Sequence, residues 1–271
     1  MTQPNINKNE ISRIKTYVEG FDEVMQGGIP EGSVILLAGT SGSMKSSFAF
    51  STMFYNTLLE GKTCLYISLE QSFWSLVNHA VNLDFDMSKI NTVIVSDVSR
   101  VDEKIREVNS SKKGNLVVVD LGALRREVKD TKIGEQGDWI NVIKNLIRKF
   151  KTQSKLDIFT LDSLSALYIL SRFENPRAEL FHIFESFREQ KVTSFLISEM
   201  PLDKSRYSEY GVEDYLSDGI IYLERTEQYR KVIRSLQVIK MRATNCDLNM
   251  YTLEFSNSKF KALYGGQAPL V

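Results

Sequence analysis

An α/β fold, with a mostly parallel sheet flanked by helices and antiparallel hairpins at its C-terminal end, follows from three features of this sequence. Short apolar runs alternate with helix-period segments along most of the chain, the pattern of parallel strands joined by crossover helices. Runs such as "SVILLAG" and "NLVVVD" are apolar almost throughout, as strands covered on both faces must be. From Asp218 onward the alternation stops, and "DGIIYLERTEQYRKVIRSLQVIKMR" and "MYTLEFSNSKFKALY" predict consecutive hairpins.

The elements follow in chain order. Residues 1–12 read as a polar, flexible leader, "FDEVM" as a short helix and "GGIPEG" as a turn cluster. "SVILLAG" is the first buried strand. "KSSFAFSTMFYNTLLEG" predicts a helix closed by Gly61, and "TCLYISLE" a second strand ending on Glu70. "NTVIVSD", "NLVVVD", "LDIFTLD" and "VTSFLISE" are further strands, separated by the helical segments "VDEKIREVN", "DWINVIKNLIRKFKTQ" and "RAELFHIFESFREQ". Neither a repeat nor a linker interrupts them, so residues 13–271 read as one domain.

Bulk composition narrows the function. Lysine plus arginine equals aspartate plus glutamate at 34 each, so no global field draws the chain to nucleic acid or anionic lipid. Cys64 and Cys246 have no paired spacing, which supports neither a zinc site nor a disulfide scaffold and suits a reducing compartment. The N-terminus lacks a signal peptide's apolar core, and no apolar run has membrane-spanning length. A cytoplasmic protein without membrane insertion is expected.

"GTSGSMKSS", Gly39 to Ser47, carries the chemistry. The phosphate-loop pattern is G-x-x-x-x-G-K-[ST] between a buried strand and a helix. Here Gly39 opens it and Lys45 and Ser46 close it, with Thr40, Ser41, Gly42, Ser43, Met44 and Ser47 completing the cradle. Backbone N–H groups and the positive end of the helix would hold phosphates. Lys45 would reach the outer phosphates and Ser46 would hold magnesium. Met44 stands in the place of the last glycine; in the first helical turn, ordinary dihedrals would accommodate it. Asp162 ends "LDIFTLD", where a carboxylate can order magnesium's water shell. Glu70 is placed to orient and deprotonate a water. Ser198 and Glu199 bring a third polar strand end to the same sheet edge.

The segments "RIKTYVEGFDEVMQGGIP" (13–30), "EYGVEDYLSDGIIYL" (209–223) and "RSLQVIKMRAT" (234–244) closely resemble the KaiC-like branch of the RecA/RadA-type ATPases. The similarity runs from about Arg13 to Tyr264. It implies a RecA-like P-loop NTPase core that assembles into a homo-oligomer, a hexameric ring or a dimer, with ATP between neighbours. It also implies that Asp162 is the Walker B acid and Glu70 a catalytic carboxylate. Lys240 and Arg242 would reach the phosphates of the adjacent subunit's ATP. Three departures are visible. Met44 replaces the loop glycine, Gln71 stands where clock-type members often carry a second carboxylate, and Cys246 takes the place of a common histidine. Because catalysis needs tighter placement than binding does, slow hydrolysis is expected. With one such domain in place of the clock protein's two, the clock function is not carried over.

The remaining residues have plainer explanations. His79 and His182 are expected to pack or be half-exposed, Trp74 and Trp139 to pack, and "KIREVNSSKK" and "LRREVKD" to be solvated. In "MPLDKSRYSEYGVED", Lys204, Arg206, Tyr207 and Tyr210 offer cations and stacking rings for nucleic acid. The interleaved Asp203, Glu209, Glu213 and Asp214 favour a protein partner or a subunit contact instead. Three functions compete: a slowly hydrolysing regulatory ATPase, a nucleotide-sensing scaffold that does not hydrolyse, and a RecA/RadA paralogue binding single-stranded DNA.

Overall fold

The strands β3 (Val34–Gly39), β4 (Thr63–Ser68), β6 (Asn115–Asp120), β7 (Leu156–Asp162) and β8 (Thr193–Glu199) are buried along almost their whole lengths, as their composition requires. The computed structural model describes residues 11–120, 122, 139–171, 173–201, 203–228 and 230–264. Most of the leader, "LRREVKD" and the first residue of "DWINVIKNLIRKFKTQ" lie outside them.

Among the described residues a short ladder, β1 (Arg13–Ile14) with β2 (Ile29–Pro30), precedes a ten-stranded sheet. The large sheet adds β5 (Asn91–Val95), β9 (Gly219–Gln228), β10 (Lys231–Met241), β11 (Met250–Ser256) and β12 (Lys259–Tyr264). Its order is β12-β11-β10-β9-β3-β8-β7-β4-β6-β5. Pairing is parallel from β9 through β5 and antiparallel from β9 to β12. The C-terminal hairpins are as expected.

Alternation along each strand builds two apolar layers. Ile35 and Leu37 of β3 face one, with α1 (Lys45–Glu60), α2 (Phe73–Asn82) and the opening segment around Phe21 and Met25. Val34, Leu36 and Ala38 face the other, with α3 (Val101–Ser110), α4 (Trp139–Ser154), α5 (Leu164–Ser171) and α6 (Pro176–Glu189). A last short helix, α7 (Glu213–Leu216), precedes β9. Gly61 caps α1 in the left-handed region, as its position predicts.

Three helices escape the sequence reading, among them the four-residue α7. "LSALYILS", which forms α5, is short and so apolar that its pattern does not separate helix from strand. α2 is also short and starts on Ser72, whose side chain accepts from the Ser75 N–H. Trp139 is buried in the second layer, but Trp74 is not packed as expected: it lies on the outer side of α2, 69% exposed. Arg13 ties the opening segment to the turn after β10. Its guanidinium donates to the carbonyls of Met25 (3.2 Å) and Gly28 (2.9 Å) and to Thr244 Oγ1 (2.9 Å), just past β10. The opening and closing segments that carry the family resemblance are therefore in contact.

Candidate functional site

The loop leaves the end of β3 at Gly39, where a Cβ would stand 2.0 Å from the carbonyl oxygen of Leu223 on β9, so only glycine fits. The chain then turns back on itself: the N–H and hydroxyl of Ser43 both donate to the Thr40 carbonyl, at 3.3 and 2.8 Å. Ser41 and Gly42 are exposed at the tip, and Ser46 and Ser47 follow in the first turn of α1. Arg225, from β9, lies against Gly42, and its N–H donates to Thr40 Oγ1 at 3.4 Å.

Met44 does not adopt the helical conformation expected of it. The helix starts at Lys45, as its sequence predicts, and Met44 caps it at φ 72°, ψ 28°, in the left-handed region. A side chain there costs roughly 1–2 kcal/mol relative to glycine. The backbone therefore keeps the shape a glycine would favour, while the methionine side chain packs against the first apolar layer.

Lys45 is 7% exposed. Its ammonium donates to the carbonyls of Gly39 (3.1 Å) and Thr40 (2.9 Å). Burial lowers its pKa, and the facing carboxylates of Glu199, Asp162 and Glu70 act against that shift. These acids come from the ends of adjacent strands β8, β7 and β4 or the turn after them, in the row the sequence predicted. Asp162 is buried, accepts from the Tyr66 hydroxyl at 2.5 Å and is hydrogen-bonded to Ser46. Burial raises its pKa above the usual carboxylate value, with these hydrogen bonds opposing the rise. Glu70 is exposed at the cavity and accepts a short hydrogen bond from the Ser163 hydroxyl. Gln71 also lines the cavity, and its side-chain oxygen accepts from the Ser75 hydroxyl at 3.2 Å.

Lys240 and Arg242 are not brought to this loop within one chain. They pair near the start of β9 and β3, at the opposite end of the sheet. Lys240 donates to the Asp214 carbonyl at 2.5 Å, and Arg242 to Asp218 Oδ1 at 2.8 Å and the Tyr215 carbonyl at 3.2 Å. Cys246 is half-buried against the first apolar layer. In the loop after β8, Lys204 is ion-paired with Glu224, Tyr207 packs on Tyr222 (5.6 Å) and Tyr210 on Tyr168 (4.9 Å). Buried Glu213 organises this loop by accepting from the hydroxyls of Tyr168 (2.6 Å) and Ser208 (2.9 Å). His182 is exposed rather than packed, with its ring 5.7 Å from that of Phe181.

A cavity of about 460 Å³ opens on the loop, lined by Met44, Lys45 to Ser47, the three carboxylates, Gln71 and two residues the sequence reading missed, His79 and Arg234. His79 is exposed on α2 and hydrogen-bonded to Ser47. Arg234 lies opposite Arg225 on β10, and its Nε is buried without a partner among the described residues. Only the β9–β10 register and the path of α2 bring them here, and neither is written in local periodicity.

The profile of the KaiC ATPase family matches residues 14–263. The chain belongs to the KaiC family of ATPases. The circadian clock oscillator protein KaiC of Prochlorococcus marinus is 27% identical over 243 residues, 88% of this chain and 42% of that protein. That of Synechococcus elongatus is 26% identical over 253 residues, 90% of this chain and 43% of its own length. The chain thus spans less than half the length of these relatives. A KaiC-like protein of Pyrococcus horikoshii superposes with a TM-score of 0.67 at 22% identity, covering 93% of this chain and 99% of that one, a likeness of fold.

ATP and magnesium fit these residues. The partnerless Arg234 Nε and the Lys45 ammonium, resting on loop carbonyls, both call for an anion at the cavity. Among the described residues no group of three acidic, histidine or cysteine side chains could hold a metal alone. Ser46 and Asp162 would hold magnesium together with phosphate oxygens and water, as this ion prefers.

Strain at Met44 makes Met44→Gly more stable than Met44→Ala by about 1 kcal/mol in denaturant unfolding, because both lose the side chain but only glycine suits the left-handed backbone. At Asp162 the sign follows from the raised pKa. The fold favours the protonated acid, so ionisation costs stability as pH rises through that value. Asp162→Asn should raise the ligand-free unfolding midpoint by roughly 2–4 °C at neutral pH, lose that gain below about pH 4, and abolish any stabilisation by Mg-ATP over ATP alone.

Proposed function

We propose that this chain binds Mg-ATP on the loop from Gly39 to Ser47 and hydrolyses it slowly within a cytoplasmic homo-oligomer, with nucleotide at the contact between copies. The observation that carries this is the buried Lys45 ammonium, set in a phosphate loop and facing Glu199, Asp162 and Glu70. On nucleotide arrival Lys45 exchanges two loop carbonyls for phosphate oxygens, a stronger charge-assisted contact. Glu70 accepts the proton of the attacking water, which requires loosening its hydrogen bond from Ser163. Lys240 and Arg242 stand at the other end of the sheet, so their stabilisation of phosphate charge must come from a neighbouring copy. Because Asp214, Tyr215 and Asp218 hold them in place, α7 and the segment after it can relay nucleotide state to a protein partner.

A non-hydrolysing sensor is the second reading, favoured by Cys246. Its half-buried thiol packs against the apolar layer where the resemblance has a histidine. Single-stranded DNA has no comparable support, because Lys204, Tyr207 and Tyr210 are engaged within the chain.

Light scattering and phosphate release, recorded together with ADP and then with Mg-ATP, test the proposal. Slow release is expected that rises with assembly, and a loss of at least tenfold in Lys45→Ala. Release at background in a nucleotide-bound assembly selects the sensor. Release unaltered by Lys45→Ala would refute the assignment of the site.

A further inference from the structure

Between α6 and the loop that joins β8 to α7 lies a second cavity, of about 810 Å³ against about 460 Å³ at the phosphate loop. Both are of a size that takes a ligand. Arg177 and Phe181, four residues apart, share the side of α6 that lines it. The loop supplies Arg206 and Tyr210, and α7 supplies Tyr215. Gly211 turns the loop at φ 74°, and the stem of Arg206 lies against it: a Cβ there would stand 3.3 Å from Arg206 Cδ. The floor is held from beneath, because the ring of Tyr210 packs on Tyr168, whose hydroxyl donates to buried Glu213.

The fold accounts for neither of two properties of this lining. Its rings are open: Tyr215 is 81% exposed and Phe181 48%, on facing sides of a concavity. Its cations are uncommitted: Arg177, Arg206 and His182 form no ion pair or hydrogen bond among the described residues. The one carboxylate of the lining, Asp214, is turned inward. One oxygen accepts from the Ser208 hydroxyl (2.6 Å) and the other from the Tyr207 N–H (3.0 Å). Asp203 and Glu209 lie near Arg206 but outside the cavity. On a chain of zero net charge, the groove thus pairs open rings with free positive charge.

Arginine grips carboxylates through its two-pronged fork, and protein contacts depend most on aromatic and arginine anchors. Nucleic acid fits less well. A strand needs a continuous basic track, and Lys204, further along the loop, is ion-paired with Glu224.

We propose that this groove docks an acidic peptide segment of a protein partner, with carboxylates on Arg177 and Arg206 and an apolar side chain between Phe181 and Tyr215. The occupant also meets Asp214 and Tyr215, whose carbonyls hold Lys240 (2.5 Å) and Arg242 (3.2 Å). It is thereby the partner end of the relay through α7. That relay rests on the proposed function; the docking does not.

Random dodecapeptides displayed on phage and selected on the full chain test the site. Enriched peptides should carry aspartate and glutamate around an aromatic or aliphatic residue, and should bind as synthetic peptides. Arg177→Glu combined with Arg206→Glu should weaken them by roughly tenfold or more, and Phe181→Ser, which keeps both arginines, by roughly fivefold. Enrichment of neutral or basic peptides, no enrichment, or affinity unchanged in both variants would overturn the docking site. So would either other occupant: a second copy, if the charge reversal abolishes assembly in light scattering, or single-stranded DNA, if labelled oligothymidylate binds wild type and not the reversed variant. A saturating peptide should change phosphate release by roughly twofold or more. Peptide bound with release unchanged would remove the relay and leave the docking site, and release at background without peptide bears on the hydrolysis reading alone.

Discussion

A lysine ammonium cannot be buried without partners, and this fold places one at the end of its central strand. Lys45 is held by the turn that β3 and α1 force on the loop, and its field is balanced from three neighbouring strands. The sheet order β3-β8-β7-β4 decides which strands those are, and each brings a carboxylate to the same edge. Removing water from this edge strengthens every one of these interactions. The same arrangement makes the ligand-free site unsatisfied. An ammonium rests on neutral carbonyls, a carboxylate is kept partly against its charged form, and Arg234 holds a partnerless buried nitrogen.

Much of this arrangement is legible in the sequence. Period and apolarity identify β3, β4, β6, β7 and β8, and the offset of Lys45 and Ser46 from Gly39 identifies the loop. The strand-terminal acids follow from where each apolar run stops. What was not legible depends on distance through space. His79 reaches Ser47 because α2 shares an apolar layer with α1, and Arg234 reaches the cavity because the register sets it opposite Arg225. The helix starts at Lys45 as the sequence predicts, but Met44 precedes it as a cap, and a cap residue does not take the helical dihedrals expected of it. Trp74 escaped because a short helix has one buried side, and composition does not say which residues share it.

The departures from the family pattern fall on one functional axis. Met44 retains the loop's shape at a cost in strain, Gln71 is hydrogen-bonded to Ser75, and Cys246 packs against the first apolar layer. The groups that bind phosphate, Lys45 and the loop backbone, are intact. Lys240 and Arg242 lie at the other end of the sheet from that loop.

Crystals grown with magnesium and a non-hydrolysable ATP analogue test the central claim most directly, through the position of Lys45 Nζ. The account predicts a triphosphate across the start of α1, with Nζ moved from the Gly39 and Thr40 carbonyls onto its outer oxygens. Crystals at millimolar analogue that show no nucleotide density there, with Nζ still on both carbonyls, would contradict it.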